Sequence, residues 1–259
     1  MKNHNKANHN RHNNRVYSLS LMILSLFASS LYAASTTSLN QTTLNQPALN
    51  QPGLNQFITS WSGSFDARRI GFFIESIQQG QVKGYSIVGA NKQGFVGTIQ
   101  PEGYNKQNNK YKIIARETGK PQSAGVFELH LDLSKPKSIE GSWQANKAGI
   151  KPKFFELAPQ QCRYQINAGE FPEASKRLLK DNDLQISKQE LQYMRNEIYA
   201  RHNYSFSNKV IASLFSDKDW YIPCSLNVEQ QLSNIERENI KRIKLMEPYA
   251  ENVELDWGR

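Results

Sequence analysis

The sequence predicts an α+β protein of two modules, an antiparallel up-and-down β-barrel of about eight strands followed by a small three-helix module. Three observations support this prediction. Residues 57–158 hold twelve of the fifteen glycines in the chain. The same stretch consists of short segments in which apolar and polar residues alternate, which is the period of a half-buried strand. From about residue 160 glycine nearly vanishes and apolar residues recur at helical spacing.

The first 33 residues are expected to be a signal peptide. Four basic residues and no acidic residue precede the apolar run VYSLSLMILSLFASSLYA, and the small residues around Ala33 permit cleavage behind it. A retained membrane anchor is the alternative. It is less favoured because the run is short and rich in serine, so we expect no transmembrane anchor after processing. The mature chain would then be periplasmic or extracellular.

Residues 34–56 are expected to be a flexible linker. The tripeptide Leu-Asn-Gln recurs every five residues, a period that matches neither a helix nor a strand. The segment is uncharged, polar and interrupted by proline, so it lacks the apolar residues that a core requires.

Residues 57–158 are expected to form the β-barrel. In FELHLDL, Phe127, Leu129 and Leu131 face one side of a strand and the polar residues between them face the other. Eight such segments follow one another through short, turn-rich connections, as in an up-and-down meander.

Residues 160–250 are expected to form the helical module, followed by a tail at 251–259. In ISKQELQYMRNEIYARHN, Ser187 and Glu190 have the spacing of a capping box, and Asn203 stands where a left-handed residue would end the helix. SFSNKVIASLFSD and QLSNIERENIKRIKLME predict two further helices. Asn239 lies on the apolar stripe of the last one and should be buried and hydrogen-bonded.

The only two cysteines are Cys162 and Cys224. In an exported protein an even pair predicts a disulfide, and two separate buried thiols are the alternative.

Charge and motifs exclude several classes of function. The chain carries 32 Lys and Arg against 23 Asp and Glu, and removal of the signal peptide would leave it only mildly basic. Neither this charge nor export indicates nucleic acid as a partner. The sequence has no glycine-rich phosphate loop, no metal-ligand spacing and no nucleophile elbow, so we expect no cofactor and no bound metal.

The C-terminal third resembles a known family. LQYMRNEIYARHNYSF, DWYIP and LSNIERENI are similar to the YARHG domain, a small extracellular module of bacterial proteins, over roughly residues 170–248. The name motif is matched by Tyr199, Ala200, Arg201 and His202, and Asn203 replaces its glycine. Because both residues tolerate a left-handed backbone, the replacement favours a turn at this position. The resemblance implies a fold unit and a compartment, but no reaction.

The stretch around the motif predicts a polar-aromatic cluster. Its charged members can join helix ends and loops by charge-assisted hydrogen bonds, while the aromatic residues pack together. A ligand groove is the alternative interpretation, and an active site is less favoured because no nucleophile stands beside a base. The candidate residues are Arg195, Glu197, Tyr199, Arg201, His202, Trp220 and Tyr221.

Four lysines predict a basic rim at one mouth of the barrel. Lys106 and Lys110 flank one connection, and Lys135 and Lys137 occupy the second connection after it. In a meander, alternate connections emerge at the same end. The rim could contact anionic envelope components such as lipid headgroups or wall polymers. Ordinary solubilising lysines are the alternative.

The favoured function is an exported, non-catalytic envelope protein that acts by binding. A carrier that holds a small apolar ligand inside the barrel is the first alternative, and it requires an interior cavity of a few hundred Å³. A hydrolase that acts on an envelope polymer is the second, and it requires converging titratable groups in a cleft.

Overall fold

The computed structural model describes residues 52–103 and 109–251. All of them belong to one compact unit that spans residues 46–259. The expected signal peptide, most of the expected linker and nearly all of the tail lie outside the described residues, as does Lys106.

The β-barrel predicted from the sequence is confirmed. Eight antiparallel strands pair in chain order, and β8 closes the barrel by pairing with β1. The strands are β1 (Ser60–Phe65), β2 (Arg68–Gln78), β3 (Gln81–Val88), β4 (Asn91–Pro101), β5 (Lys110–Glu117), β6 (Gly125–Asp132), β7 (Ile139–Ala145) and β8 (Lys153–Pro159).

Apolar side chains fill the inside of the barrel. Phe72 stacks on Phe95 with ring centroids 4.6 Å apart, and Phe127 meets Phe72 edge-on at 5.1 Å. Trp61 is fully buried in the same core. Because alternate residues of each strand point inward, the period of two in the sequence fills the interior directly.

The end of the expected linker differs from the sequence prediction. Pro52–Phe57 forms a 3₁₀ helix, although residues 52–56 read as part of the polar repeat. Leu54 and Phe57 are buried in the barrel core, and the Trp61 indole donates to the Phe57 carbonyl at 3.1 Å. Two apolar side chains within reach of the barrel end are enough to order a segment whose composition alone predicts disorder.

The three predicted helices are present, with one short helix before them. They are α1 (Glu173–Lys176), α2 (Lys188–Arg201), α3 (Lys209–Ser216) and α4 (Asn234–Met246). A single turn such as α1 carries no detectable periodicity, which is why the sequence did not predict it.

Helix capping follows the sequence. Ser187 and Glu190 form the predicted capping box at the start of α2, and Ser233 and Glu236 form a second one at α4. Asn239 is buried as predicted: it accepts from the Leu179 N–H and donates to two carbonyls of the α1 region.

The helical module packs against the outside of β2 and β3. Ile222 is buried against Phe73 and Ile87. The Ser205 hydroxyl donates to the Gly89 carbonyl at 2.7 Å. The outward apolar residues of these two strands are therefore covered, so the barrel and the module share an interface.

Candidate functional site

Arg201 is the central polar residue of the helical module. Its side chain is fully buried at the end of α2. The guanidinium donates to the Ala168 carbonyl at 2.8 Å, to the Ser175 hydroxyl at 3.1 Å and to the Glu197 carboxylate at 2.5 Å. Arg201 thus joins α2 to α1 and to the loop before it.

Glu197 completes this arrangement one turn earlier on α2. Its carboxylate accepts from the backbone N–H groups of Glu170 and Phe171 at 2.7 and 2.8 Å, in addition to Arg201. Burial raises the pKa of Glu197, and these donors act in the opposite direction. Gly169 has a φ of +91°, and a Cβ there would lie 2.0 Å from the carboxylate. The loop therefore closes over Glu197 only because glycine stands at 169.

His202 belongs to a second buried cluster. Its Nε2 lies 2.9 Å from Glu236, which also accepts from the Tyr164 hydroxyl at 2.8 Å. Tyr164 stacks on the imidazole with ring centroids 4.2 Å apart. Burial would raise the pKa of Glu236, but hydrogen bonds from His202, the Ser233 backbone and Tyr164 together lower it to about 2. The group is thus a carboxylate that holds α4 against the end of α2.

Asn203 forms the predicted turn. Its φ is +60°, so it occupies the left-handed position where the family has glycine. Its carbonyl accepts from the Cys224 N–H at 2.9 Å, and its side-chain amide donates to the Arg163 carbonyl at 2.8 Å. Asn203 is therefore hydrogen-bonded to Cys224 and to Arg163, the residue that follows Cys162.

The disulfide between Cys162 and Cys224 is present, and the alternative of two free thiols is wrong. The bond joins the segment that leaves the barrel to the loop before α4, across 62 residues. Cys224 also packs at the interface between barrel and module.

The aromatic candidates pack together as the structural interpretation proposes. Trp220 and Tyr221 meet edge-on, and Tyr221 lies 6.3 Å from Phe206 between ring centroids. The Tyr221 hydroxyl donates to the Tyr204 carbonyl at 2.7 Å, and burial raises its pKa. Trp220 and Tyr221 therefore stabilise the module from within.

Arg195 and Tyr199 have a different environment from the other candidates, because both line an open groove between α2 and α3. This α2–α3 groove has a volume of about 380 Å³. Its aromatic and aliphatic lining comprises Tyr199, Tyr204, Phe206, Ile211, Leu226 and Val228, and its polar lining comprises Arg195, Asn196, Ser207, Asn208, Asn227 and Glu229.

The charges of the α2–α3 groove balance each other. The Arg195 guanidinium is bonded to Glu247 through Nε at 2.5 Å, so its charge is already paired. Glu229 carries the opposite charge on the loop side. Burial, and then the charge of Glu229, raise the pKa of Tyr199. With Arg195 already paired, the groove has no free positive charge that would select an anion.

Asn196 is one of five polar groove residues that the sequence did not indicate, with Ser207, Asn208, Asn227 and Glu229. Asn196 as a whole is 6% exposed, yet no residue that the structure describes hydrogen-bonds to its side-chain amide. The amide atoms are not fully shielded from solvent, and Asn196 lines the open groove. Sequence alone offers no signal for this, because Asn196 lies between charged residues that read as a solvated helix face.

The lysine rim is brought together only in part. Lys110 and Lys135 line one depression of about 440 Å³ at the end of the barrel, as the meander predicts. Lys137 is exposed and does not line it. Glu102, Asp132 and Glu140 line the same depression, so carboxylates stand between the lysines.

The interior of the barrel offers little space for a ligand. Among the described residues, inward-facing side chains line a pocket of about 120 Å³ at the mouth of the barrel, beside Phe65 and Phe127. That volume is below the few hundred Å³ that a carrier of small molecules requires. No three His, Cys, Asp or Glu side chains of the described part lie close enough to hold a metal ion.

None of the helices in the described ranges is long and apolar enough to cross a membrane. Comparison with curated proteins and with solved structures gives no match to this chain. YARHG domains are generally found in exported proteins. Residues 169–248 fit the model of the YARHG domain, and this segment contains Tyr199, Ala200, Arg201 and His202.

Proposed function

We propose that the protein is an exported, non-catalytic envelope protein that acts by binding, with the α2–α3 groove as its binding surface. The observation that carries this proposal is the contrast within the motif region. Glu197, Arg201, His202 and Glu236 are buried and bonded to the module itself. Asn196, by contrast, is buried but leaves its amide unpaired at an open groove.

The volume and lining of the groove support binding of a small segment or molecule. About 380 Å³ lies at the lower end of the range of roughly 300–1,000 Å³ that is typical of ligand pockets. The lining combines aromatic and aliphatic surface with a few polar groups, which is the usual composition of such sites. The Asn196 amide can exchange its contact with water for a hydrogen bond to a ligand, whereas a ligand without polar groups would leave it unpaired.

The two alternatives receive less support. Aromatic rings pack inside the barrel, and the pocket of about 120 Å³ at its mouth is smaller than a carrier requires. A hydrolase would need titratable groups that converge in a cleft, and the paired groups of α2 and α4 are instead enclosed by the module.

Cosedimentation of the exported chain with isolated cell envelopes tests the proposal. Ser207 is an exposed residue of the groove, and Ser207→Trp would fill it. Ser64→Trp, at an exposed position of β1, is the matched control. We expect wild type and Ser64→Trp to sediment equally and Ser207→Trp to lose at least ten-fold in apparent affinity. Equal binding of all three would refute the groove as the binding surface.

The anionic-partner hypothesis is tested in the same assay. A Lys110→Gln/Lys135→Gln variant removes the two lysines that share the depression. Binding through the rim predicts a loss in this variant and a strong decrease with salt, because exposed charges are screened over about 8 Å at physiological ionic strength. Because carboxylates share the depression, we expect little change. A large loss would identify the rim as the binding surface instead of the groove.

A further inference from the structure

We infer that the α2–α3 groove binds a peptide segment. In this segment an aliphatic side chain lies beside a backbone amide group that can hydrogen-bond to the protein. The inference rests on the proposed function and names the ligand class of the same site. Three features of the groove carry it: an unpaired amide, an aliphatic wall and balanced charge.

The unpaired amide is that of Asn196. A carboxamide offers one N–H donor side and one C=O acceptor side, and a peptide bond offers the complementary pair. Asn196 is fixed on α2 and almost fully buried, so its amide loses little freedom when it binds. A purely apolar ligand would cover this amide without pairing it, which is costly. The ligand must therefore carry a hydrogen-bonding group at this point.

The aliphatic wall is formed by Ile211, Leu226 and Val228. Leu226 is 41% exposed, and it offers apolar surface that the protein itself does not cover. A ligand side chain that packs there removes apolar area from water, which is the main favourable contribution to such contacts. An extended peptide presents apolar side chains and amides at short, regular spacing, so it can meet both the wall and Asn196.

Balanced charge and composition also favour a peptide. Arg195 is paired with Glu247, and Glu229 is negative, so the groove lacks the excess charge that phosphate or sulfate groups require. Tyrosine, serine, asparagine and arginine together are the residues that antibody paratopes use to recognise protein surfaces. The lining of the groove, with Tyr199, Tyr204 and Ser207, has this composition.

Nuclear magnetic resonance of the ¹⁵N-labelled exported chain tests the inference. The probe is a capped pentapeptide of alanine and serine with a central leucine. A peptide with glutamate at the centre and a soluble oligomer of N-acetylglucosamine are the comparison ligands. We expect the leucine peptide to shift the side-chain amide signals of Asn196 in a saturable manner, and the glutamate peptide to bind at least five-fold more weakly.

Variants separate a ligand role of Asn196 from a structural one. Asn196→Ala should lose at least ten-fold in affinity for the leucine peptide while keeping the melting temperature of the wild type, because no described residue bonds to this amide. Asn234→Ala, at an exposed position on α4, is the control and should bind normally. A clear fall in the melting temperature of Asn196→Ala would show a structural role and overturn the inference.

The remaining outcomes are also decisive. Absence of saturable shifts up to about 10 mM leucine peptide, a concentration that detects even millimolar binding, would overturn the peptide inference. Saturable binding of the sugar oligomer in place of the peptide would do the same, but it would leave the groove as a binding surface. If Ser207→Trp loses envelope binding but the leucine peptide causes no saturable shifts, the peptide inference is overturned and the groove remains the binding surface. Unchanged envelope binding by Ser207→Trp removes the proposed function as well.

Discussion

The barrel and the helical module are stabilised in different ways. The buried residues of the barrel are almost all apolar, with Ser62 and Ser86 as its buried polar side chains in the described part. The module, which is smaller, buries a larger set of polar and charged side chains: Ser175, Asn196, Glu197, Arg201, His202, Asn203, Ser205, Glu236 and Asn239.

This difference indicates where each region is sensitive to change. An apolar core tolerates exchanges of similar volume, because close packing can be rebuilt from other apolar side chains. A buried polar network requires every partner, since the loss of one leaves another unpaired in a medium of low dielectric constant. Arg201 and His202 of the YARH motif lie in such a network, so these two residues reflect the assembly of the module, whereas Tyr199 lines the groove.

The largest expected effect comes from breaking the buried ion pair. Arg201→Met should destabilise the protein by about 3–5 kcal/mol, because Glu197 would keep a buried charge without its partner. Leu129→Met, a volume-conserving apolar exchange in the barrel core, should cost less than about 1.5 kcal/mol. Chemical denaturation measures the free energy of unfolding of both variants, and the two losses can then be compared.

A double variant sharpens this result. Arg201→Met with Glu197→Gln should recover part of the lost free energy of unfolding, because no unpaired charge remains. If Leu129→Met proved as costly as Arg201→Met, the two regions would not differ as described. Hydrogen exchange of α2 and of the strands would then show which region unfolds first.

A smaller loss is expected at the loop that covers Glu197. Gly169→Ala should cost roughly 2–3 kcal/mol, because the new Cβ would meet the carboxylate and alanine would adopt a left-handed backbone. Gly149, also at positive φ but with open space around it, is the matched control. Gly149→Ala should cost about 1 kcal/mol. Equal melting temperatures for the two variants would contradict the close fit around Glu197.

The smallest effect is expected at the turn. Asn203→Gly introduces the glycine of the YARHG motif at φ +60° but removes the hydrogen bond to the Arg163 carbonyl. These changes oppose each other, so the free energy of unfolding should stay within about 1 kcal/mol of the wild type. Asn203→Val cannot adopt this backbone without strain and should destabilise the protein clearly. Thermal denaturation distinguishes the two, and a stable Asn203→Val variant would contradict the turn.

Local patterns in the sequence were sufficient for most of the fold. Alternation such as that in FELHLDL predicted all eight strands, and the capping box at Ser187 and Glu190 predicted where α2 begins. The disulfide followed from the number of cysteines and the expected export. Each of these signals depends on a few neighbouring residues or on composition. It can therefore be recognised without knowledge of the tertiary structure.

The candidate site was predicted less well. Arg195 and Tyr199 were named as candidates and do line the α2–α3 groove, while Glu197 and Arg201 are enclosed by the module. Helical spacing places Arg195 and Tyr199 on one face of α2 and Glu197 and Arg201 on nearly the opposite face, but it does not show which face is closed. Only the loops that pack on α2 decide which of its faces is closed.

The sequence by itself determined the order of the elements, the closure of a barrel from a strand meander and the left-handed turn at Asn203. Tertiary structure decided that Leu54 is buried in the barrel core, that Glu236 contacts His202 although 34 residues separate them, and that Asn196 lines a groove. The physical reason is range. Strand period, capping and turn preference act between near neighbours, whereas burial and hydrogen-bond partnership depend on which distant segments reach the same place.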